Sequence, residues 1–301
     1  MAAAGPGHWI SLKNILYLTD FSGPSEAALP FAVAIARGYG ATVHGLHVLM
    51  PPPYVHAAPP LTAASLEVEE ESANNAMQRL QSQLAGLAYE TSMERGVPVW
   101  AAVERAIRDH YIDLIVLGTH GRTGAEKLLL GSVAEEIFRR SPVPVLTIGP
   151  GVRSGAHGGG RFHRVLLASD FNAASIAAAP FAVSLACENQ ARLILMHVMR
   201  RPEKRLDGDE NRPELSVAEA IHQLYETVPQ DAGLSNPPEI AVEFGDPSVR
   251  IVDAARQRGA DLIVLGVRGA TGPLGATIQV VRATAHKVVA RAACPVLTVR
   301  F

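Results

Sequence analysis

The sequence predicts an α/β fold made of two similar domains, each with a five-stranded parallel sheet and helices on both faces. Three observations support this prediction. The chain has 301 residues, a length that suits two domains of ordinary size. Its first half recurs in its second half at an offset close to half the length. Within each half, short apolar runs alternate with helix-like patterns, which is typical of parallel strands joined by right-handed helical crossovers.

The internal repeat covers five pairs of segments. The clearest pair is Lys13–Ser22 and His163–Asn172, which read KNILYLTDFS and HRVLLASDFN. The other pairs are Leu29–Val33 and Ala179–Val183, Leu46–Val48 and Met196–Val198, Asp113–Gly118 and Asp261–Gly266, and Pro144–Ile148 and Pro295–Val299. Residues 151–160 are rich in glycine and lack apolar periodicity, which indicates a flexible linker. The predicted domains are therefore residues 1–150 and 161–301.

The patterns of the first half predict nine elements. The predicted strands are 13–19, 42–49, 87–94, 113–118 and 143–148, and the predicted helices are 24–38, 64–85, 98–110 and 132–140. Unbroken apolar runs such as 114–117 suit strands that are covered on both faces. Ligands of such sheets lie beyond the carboxyl ends of the strands, where the strand order reverses. Asp20, Val48 and Gly118 all lie at such ends, so we expect three segments to meet in one crevice.

Composition argues against several classes of protein. No stretch of eighteen apolar residues occurs and the N-terminus lacks a secretory pattern, so no membrane span or leader is expected. A net charge of -2 shows no bias toward nucleic acid or anionic lipid. The two cysteines, Cys187 and Cys294, form no disulfide framework and show no metal-type spacing. We therefore expect a cytoplasmic protein with no nucleic-acid or membrane partner and no metal-ligating residue.

A run of glycines after the fourth predicted strand is the strongest functional signal. Gly118 and Gly121 are followed, after nine intervening residues, by Gly131 and Ser132 at the predicted start of a helix. Because glycine has no Cβ, the backbone can approach a phosphate closely. The free N–H groups and the positive dipole end of a helix N-terminus bind anions. The spacing therefore predicts a phosphate-binding loop, and most simply one that binds a nucleotide.

Some of these residues also have a purely structural interpretation. Asp20 and Ser132 are both of types that cap helix N-termini, and for Asp20 binding and capping stay open together. Arg122 lies in the glycine loop and could screen phosphate charge, although surface cations are mostly solvated. His47 and His197 occupy matched positions in the repeat and are interpreted as satisfied, partly buried histidines.

Both halves resemble universal stress protein domains, over about residues 10–148 and 160–301. The first half matches the nucleotide loop of that family, Gly-x2-Gly-x9-Gly-Ser/Thr, and both halves carry the Asp after the first strand and the Pro-Val-Leu-Thr ending. The resemblance implies two Rossmann-like domains of the adenine nucleotide α-hydrolase-like type, and ATP binding where this loop is present. It implies phosphate contacts from Gly118, Gly121, Gly131, Ser132 and Val133, adenine contacts from the main chain of Val48, and Asp20 at the adenine–ribose end.

The second half departs from the family's loop. After Gly266 and Gly269, nine residues lead to Gln279 instead of a glycine. Aligning the Pro-Val-Leu-Thr endings suggests that Ala283-Thr284 stand opposite Gly131-Ser132, with a loop about four residues longer. A Cβ at that point would crowd a phosphate. The second site is therefore predicted to be degenerate and not to bind ATP.

The leading hypothesis is an ATP-binding regulatory protein of the stress response, with Mg²⁺ carried on the phosphates and an unidentified protein partner. No set of residues predicts efficient hydrolysis, so no catalytic residue is assigned. Two alternatives stay open, a slow ATPase or other adenine-nucleotide enzyme and a nucleotide-free interaction scaffold. In this family the last strand commonly pairs across a two-fold axis, so 142–148 and 295–299 are expected to pair within the chain as a pseudo-dimer. Whether two chains also form a homodimer is left open.

Overall fold

A computed structural model describes residues 10–49, 63–119, 131–152, 161–199, 215–267 and 276–301. The strands of the first half are β1 (Asn14–Leu18), β2 (Thr42–Leu49), β3 (Tyr89–Arg95), β4 (Leu114–Gly118) and β5 (Val145–Ile148). Its helices are α1 (Gly23–Glu26), α2 (Leu29–Tyr39), α3 (Ala63–Gln83), α4 (Val99–Asp109) and α5 (Ser132–Arg140). The five predicted strands are therefore confirmed, and the helix predicted at 132–140 has the observed bounds.

The second half repeats this order of elements. Its strands are β6 (Arg164–Ala168), β7 (Arg192–Met199), β8 (Glu239–Phe244), β9 (Leu262–Val267) and β10 (Val296–Arg300). Its helices are α6 (Ala173–Asn189), α7 (Val217–Glu226), α8 (Pro247–Gln257) and α9 (Ala276–Arg291).

The ten strands form one continuous sheet in the order β3-β2-β1-β4-β5-β10-β9-β6-β7-β8. All pairs within each half are parallel, as predicted. The halves join where β5 pairs antiparallel with β10, with Leu146 opposite Leu297. Two side chains reinforce this joint, because Thr147 Oγ1 donates to the Val296 carbonyl at 3.0 Å and Thr298 Oγ1 donates to the Val145 carbonyl at 3.2 Å. The expected pairing of the two closing strands is therefore present within one chain.

The helix predicted at 24–38 is wrong in one respect, because the chain forms two helices there. A turn at Ala27–Ala28 separates α1 from α2, and Pro30 lies in the first turn of α2. Proline lacks the N–H that would continue the helix but is well tolerated in a first turn. In the second half the matched segment is rich in alanine, the best helix former, and α6 continues through Pro180.

Both faces of the sheet are covered, and each apolar layer runs through both halves. One layer contains buried residues of α2, α3, α6 and α7. The other contains buried residues of α4, α5, α8 and α9. Contacts between the halves include the stacked rings of Phe31 and Phe162, whose centroids are 5.9 Å apart, and a hydrogen bond of 2.8 Å from Tyr39 Oη to Ser184 Oγ. Within the described residues, none of the helices combines the length and the apolar character that crossing a bilayer requires.

Candidate functional site

The predicted crevice lies where β1 is flanked by β2 and β4. Leu18, the last residue of β1, is in register with Leu46 of β2 and Leu117 of β4. Asp20, Val48 and Gly118 therefore lie at one edge of the sheet, beyond or at the carboxyl ends of three neighbouring strands. In an open parallel sheet this edge is where ligands bind.

The turn after β1 is organised by its own side chains. Phe21 has a φ of 58°, a left-handed conformation that is uncommon for an aromatic residue, and its N–H donates to Thr19 Oγ1 at 2.9 Å. Asp20 Oδ1 accepts from the Ser22 N–H at 3.0 Å and from Ser22 Oγ at 2.6 Å. The N-cap of α1 is Ser22, which accepts from the Ser25 N–H. The interpretation of Asp20 as the cap itself is thus wrong, because Asp20 instead orients the residue that caps.

The second half builds the same turn. Phe171 has a φ of 61°, and Asp170 accepts from the N–H and Nδ2 of Asn172, the N-cap of α6, and from Ser175 Oγ. The carboxylate therefore orders this turn in both halves. Its presence alone does not mark a nucleotide site.

The main chain of Val48 faces the crevice. In β2, even-numbered residues bond toward β1, since the Thr42 N–H donates to the Lys13 carbonyl and the Thr19 N–H donates to the Leu46 carbonyl. Odd-numbered residues bond toward β3, as the Gly96 N–H donates to the Leu49 carbonyl. The amide and carbonyl of Val48 therefore point to the β1 side, one step beyond the last ladder bond between β1 and β2 in the described part of the chain. This direction suits contact with a ligand edge.

His47 supports the wall of the crevice. Its Nδ1 lies 2.8 Å from the Thr19 carbonyl oxygen, and its ring centroid lies 4.6 Å from that of Phe21. His197 repeats both contacts, at 2.8 Å from the Ser169 carbonyl and 4.5 Å from Phe171. Each histidine therefore makes a hydrogen bond through its Nδ1 atom. Sequence reasoning missed the roles of Thr19 and Phe21, although their recurrence as Ser169 and Phe171 in the repeat was the available signal.

Gly118 is required by packing. A Cβ on Gly118 would lie 2.5 Å from the carbonyl oxygen of Pro24 at the start of α1. A Cβ on Gly266 would lie 2.2 Å from the carbonyl carbon and oxygen of Ala174. Such distances are well inside van der Waals contact, so both halves need glycine for strand and helix to meet. This structural role explains why the first glycine of the loop persists in the half whose loop is otherwise altered.

A hydrogen bond joins the described residues on either side of 120–130. The Gly131 N–H donates to the Thr119 carbonyl at 2.7 Å, which joins the two ends of the segment 120–130. Gly131 is the N-cap, and Ser132 is the first helical residue, so the interpretation of Ser132 as the cap is wrong. The first intrahelical bond runs from the Glu135 N–H to the Gly131 carbonyl. By helix geometry the N–H groups of Ser132 and Val133 have no acceptor within the helix.

Two of the predicted site residues, Gly121 and Arg122, lie outside the described residues. Of the other six, the structure brings Asp20, Val48 and Gly118 to the edge just described. Gly131, Ser132 and Val133 are held near the same edge, because the Gly131 N–H donates to the carbonyl of Thr119, the residue after Gly118.

The second half differs at the start of its last helix. Arg140 and Arg291 end α5 and α9 at an offset of 151 residues, the same offset that separates Pro144 from Pro295. This offset places Arg282-Ala283 opposite Gly131-Ser132, so the alignment with Ala283-Thr284 was wrong by one residue. Gly118 and Gly266 are only 148 residues apart, so the second half has three additional residues between this glycine and the end of its last helix. Position 283 lies seven residues after the start of α9 at Ala276.

Comparison with known families gives two matches along the chain. The family model described as the universal stress protein family matches residues 11–149 and residues 161–300. The two matches correspond to the two halves of the repeat and together cover most of the chain.

Similar proteins agree with this result. A universal stress protein of Mycolicibacterium smegmatis is 26% identical over 300 residues, which cover 95% of this chain and 97% of that protein. A universal stress protein of Methanocaldococcus jannaschii is 34% identical over 140 residues, which cover 45% of this chain and 81% of that protein. The crystal structure of a universal stress protein from Archaeoglobus fulgidus superposes with a TM-score of 0.70 at 21% identity, over 97% of each chain. This last similarity shows a shared fold.

Proposed function

Because this chain belongs to the universal stress protein family, we propose that its first half binds ATP and that the bound nucleotide regulates contacts with a protein partner in the stress response. The site is the crevice at the carboxyl ends of β1, β2 and β4. The main-chain amides of Gly118, Gly121, Ser132 and Val133 hold the phosphates, and Gly131, whose own N–H bonds the Thr119 carbonyl, lets the backbone come close to them. The hydroxyl of Ser132 adds one donor.

The start of α5 is the observation that carries this proposal. Gly131 has no side chain, so within the described residues the first turn of α5 has no side-chain cap, whereas Ser22 and Asn172 cap α1 and α6. The amides of Ser132 and Val133 are left to bond an external acceptor, and the helix dipole favours an anionic one. A nucleotide phosphate has the required charge and acceptor oxygens.

The conformation of Gly131 supports a role in binding. Its φ of -59° and ψ of 149° lie in a region that any residue adopts. The backbone therefore does not require glycine here, in contrast to the steric need at Gly118. A residue without a Cβ is the type expected where the main chain must come close to a phosphate.

The adenine–ribose end of the nucleotide lies at the other side of the crevice. The amide and carbonyl of Val48 bond the adenine edge, and Asp20 accepts from the ribose hydroxyls or the adenine amine. Asp20 suits this end because a carboxylate next to the triphosphate would repel it. Arg122 screens phosphate charge, and Mg²⁺ is carried on the phosphates with few protein ligands.

In this proposal the second half does not bind ATP. Position 283 lies within α9, so its N–H has a helical acceptor available and the anion site of the first half has no equivalent. An extended helix thus replaces the open amides. We take residues 1–150 and 161–301 as the two domains, with 151–160 as linker.

The far end of α5 offers a route from nucleotide to partner contacts. Arg300 Nη2 of β10 donates to the Phe138 carbonyl at 2.7 Å and to the Arg139 carbonyl at 2.8 Å. The helix whose N-terminus meets the phosphates is therefore held at its C-terminus by the second half. Binding at one end of α5 biases the junction at the other end. Limited proteolysis in 151–160 with and without ATP tests this step, and identical cleavage rates would contradict it.

Calorimetry of the full chain tests the binding itself. The chain, freed of bound nucleotide by denaturation and refolding, is titrated with ATP, ADP, AMP and cAMP. We expect one ATP per chain at micromolar affinity, equivalent to roughly 8 kcal/mol. Two molecules per chain would contradict the assignment of the second half, and no binding at millimolar ATP would favour the scaffold. Repeated turnover of labelled ATP would favour an enzyme instead.

A further inference from the structure

A cluster of two histidines and a glutamate lies at the amino edge of the sheet in the first half, away from the crevice. His44 is near the start of β2, Glu90 is near the start of β3, and the two are directly paired in register. His110 is the C-cap of α4, which returns to this edge. The three residues are distant in sequence and are brought together by strand pairing and by the length of α4.

The distances within the cluster are short and similar. His44 Nδ1 lies 3.3 Å from Glu90 Oε2, and His110 Nδ1 lies 3.4 Å from the same oxygen. Three donor atoms, one from each residue, lie within 4.8 Å of one another. An ion bound tetrahedrally by nitrogen and oxygen at about 2.0–2.2 Å has its ligand atoms about 3.4 Å apart. The distances of 3.3 and 3.4 Å from Glu90 Oε2 to the two histidine nitrogens are close to this ligand-to-ligand separation.

Asn14 fixes the orientation of the buried His44 ring. Its Nδ2 donates to the Tyr111 carbonyl at 3.4 Å, so its Oδ1 is the atom that faces His44 Nε2 at 3.2 Å. His44 Nε2 therefore carries the proton, and Nδ1 of the neutral ring has a lone pair directed at Glu90. This is the arrangement in which a metal-binding histidine donates its other N–H to an oxygen acceptor.

The lone pair of His44 needs a cation. The side chain of His44 is only 10% exposed, and its Nδ1 is buried without a hydrogen-bond partner in the described part of the chain. With the proton on Nε2, a lone pair and a carboxylate oxygen face each other at 3.3 Å, which is repulsive unless a cation lies between them.

In the second half, the corresponding carboxylate is paired with an arginine. Glu239 is paired in register with Ile194, the residue that corresponds to His44. Arg258, the C-cap of α8, stands where His110 stands and forms an ion pair with Glu239, while its Nη2 lies 3.8 Å from Glu243. The carboxylate at this position of the repeat therefore has a protein cation in one half and two imidazoles in the other.

We propose that His44, Glu90 and His110 form a binding site for a divalent metal ion of the zinc type. Two imidazole nitrogens and one carboxylate oxygen are a common zinc ligand set, with solvent in the fourth position. Glu90 and His110 are exposed, which gives an ion access to the site. The C-terminal end of α4 adds the negative end of a helix dipole, which favours a cation. The site is independent of the crevice, so failure to bind ATP does not bear on it.

Titration of the chelator-treated full chain with Co²⁺ tests the site. We expect one equivalent of Co²⁺ to bind with the intense visible absorption of a four-coordinate ion, and Zn²⁺ to displace it. His110→Arg, which copies the second half, and Glu90→Gln should each weaken binding by more than about 100-fold, the upper end of the loss from altering a residue that only supports a metal ligand. His110→Arg should unfold at the same temperature as the parent without metal, since Arg258 shows that an arginine is accommodated.

His222→Gln is the matched control. His222 Nε2 lies 3.2 Å from Glu226 Oε1 on one turn of α7, and both side chains are exposed, so this pair is an ordinary surface contact. The control should bind Co²⁺ like the parent chain. The proposal is overturned if the parent chain shows no saturable binding of either metal, or if His110→Arg and Glu90→Gln bind as tightly as the control.

Discussion

The two halves share the turn after their first strand but differ in how the helix before their last strand begins. In the first half, α5 starts at Ser132 and its N-cap is Gly131, which has no side chain to cap the helix. In the second half, α9 starts at Ala276, so the equivalent amides fall inside a helix. The proposed anion site of the first half therefore has no equivalent in the second, although the order of elements in the sheet is the same.

The same two halves differ again at the opposite edge of the sheet. Glu90 faces two histidines, whereas Glu239 is paired with Arg258. At both edges the copies keep a shared feature, the last helix at one edge and a glutamate at the other, but differ in the residues around it. The differences between copies therefore locate function better than the similarities do.

The largest expected effect comes from Gly131→Val. The conformation of Gly131 admits a side chain, so the fold should persist, but a branched Cβ would crowd the phosphates. Loss of two or more charged hydrogen bonds predicts a fall in ATP affinity of at least about 100-fold by calorimetry. Arg282→Val, at the matched position inside α9, is the control and should leave ATP binding unchanged. Equal affinity of both variants would remove the loop from the proposed site.

Ser132→Ala should have a smaller effect on the same site. Ser132 is the first helical residue and not the N-cap, so the stability of α5 should change little. Loss of one hydrogen bond to a charged group costs about 1.5–3 kcal/mol, which corresponds to about a 10- to 100-fold loss of ATP affinity. Ser132→Thr keeps the hydroxyl and should bind like the parent chain. Unaltered calorimetric affinity in the alanine variant would show that the hydroxyl makes no contact.

Gly118→Ala and Gly266→Ala test whether the halves share the packing of strand against helix. Each new Cβ meets backbone at the start of the following helix, at 2.5 Å in the first half and 2.2 Å in the second. We expect each variant to lose about 1–3 kcal/mol of unfolding free energy in urea, with the greater loss for Gly266→Ala. Gly23→Ala, where the added Cβ has open space, is the control. Stability equal to that of the control would contradict the steric requirement.

Tyr17→Phe probes a smaller difference between the two cores. Tyr17 Oη donates to the Ser25 carbonyl at 2.9 Å, whereas the repeat has the apolar Leu167 at this position. The variant should lose about 0.5–1.5 kcal/mol at neutral pH in urea unfolding. Retention of full stability would mean that the hydroxyl contributes nothing.

The pH dependence of Tyr17 gives an independent readout. Burial is the main cause that raises the pKa of Tyr17 from 10.0 to about 12. The neutral phenol thus stabilises the fold fully below pH 10, and this contribution is lost as the pH rises toward 12. Stability of Tyr17→Phe should therefore decline less steeply than that of the parent in this window. Parallel curves would contradict the assignment.

Most of the fold was predictable because each strand and helix pattern occurs twice in the chain. Apolar runs located all five strands of the first half, and the closing strands were expected to pair. The break between α1 and α2 was missed because a proline at position 30 is compatible both with a continuing helix, as in α6, and with a new first turn. Local sequence does not decide between these two outcomes.

The site was less predictable than the fold. Spacing identified Gly131 and Ser132, but the steric role of Gly118 depends on the path of α1, which no spacing reveals. The sequence predicted no metal-ligating residue, and His44, Glu90 and His110 escaped notice because register and helix length bring them together. The contrast of His110 with Arg258 in the repeat was a usable signal.

The pairing of β5 with β10 means that each copy always has the other as its neighbour. In an assembly of two identical chains every substitution occurs twice, on both sides of the symmetry axis. Covalent linkage replaces that encounter by an intramolecular one, whose effective concentration does not depend on how much protein the cell makes. One copy is thereby free to diverge from the other, and an asymmetric pair is inherited as a single gene product.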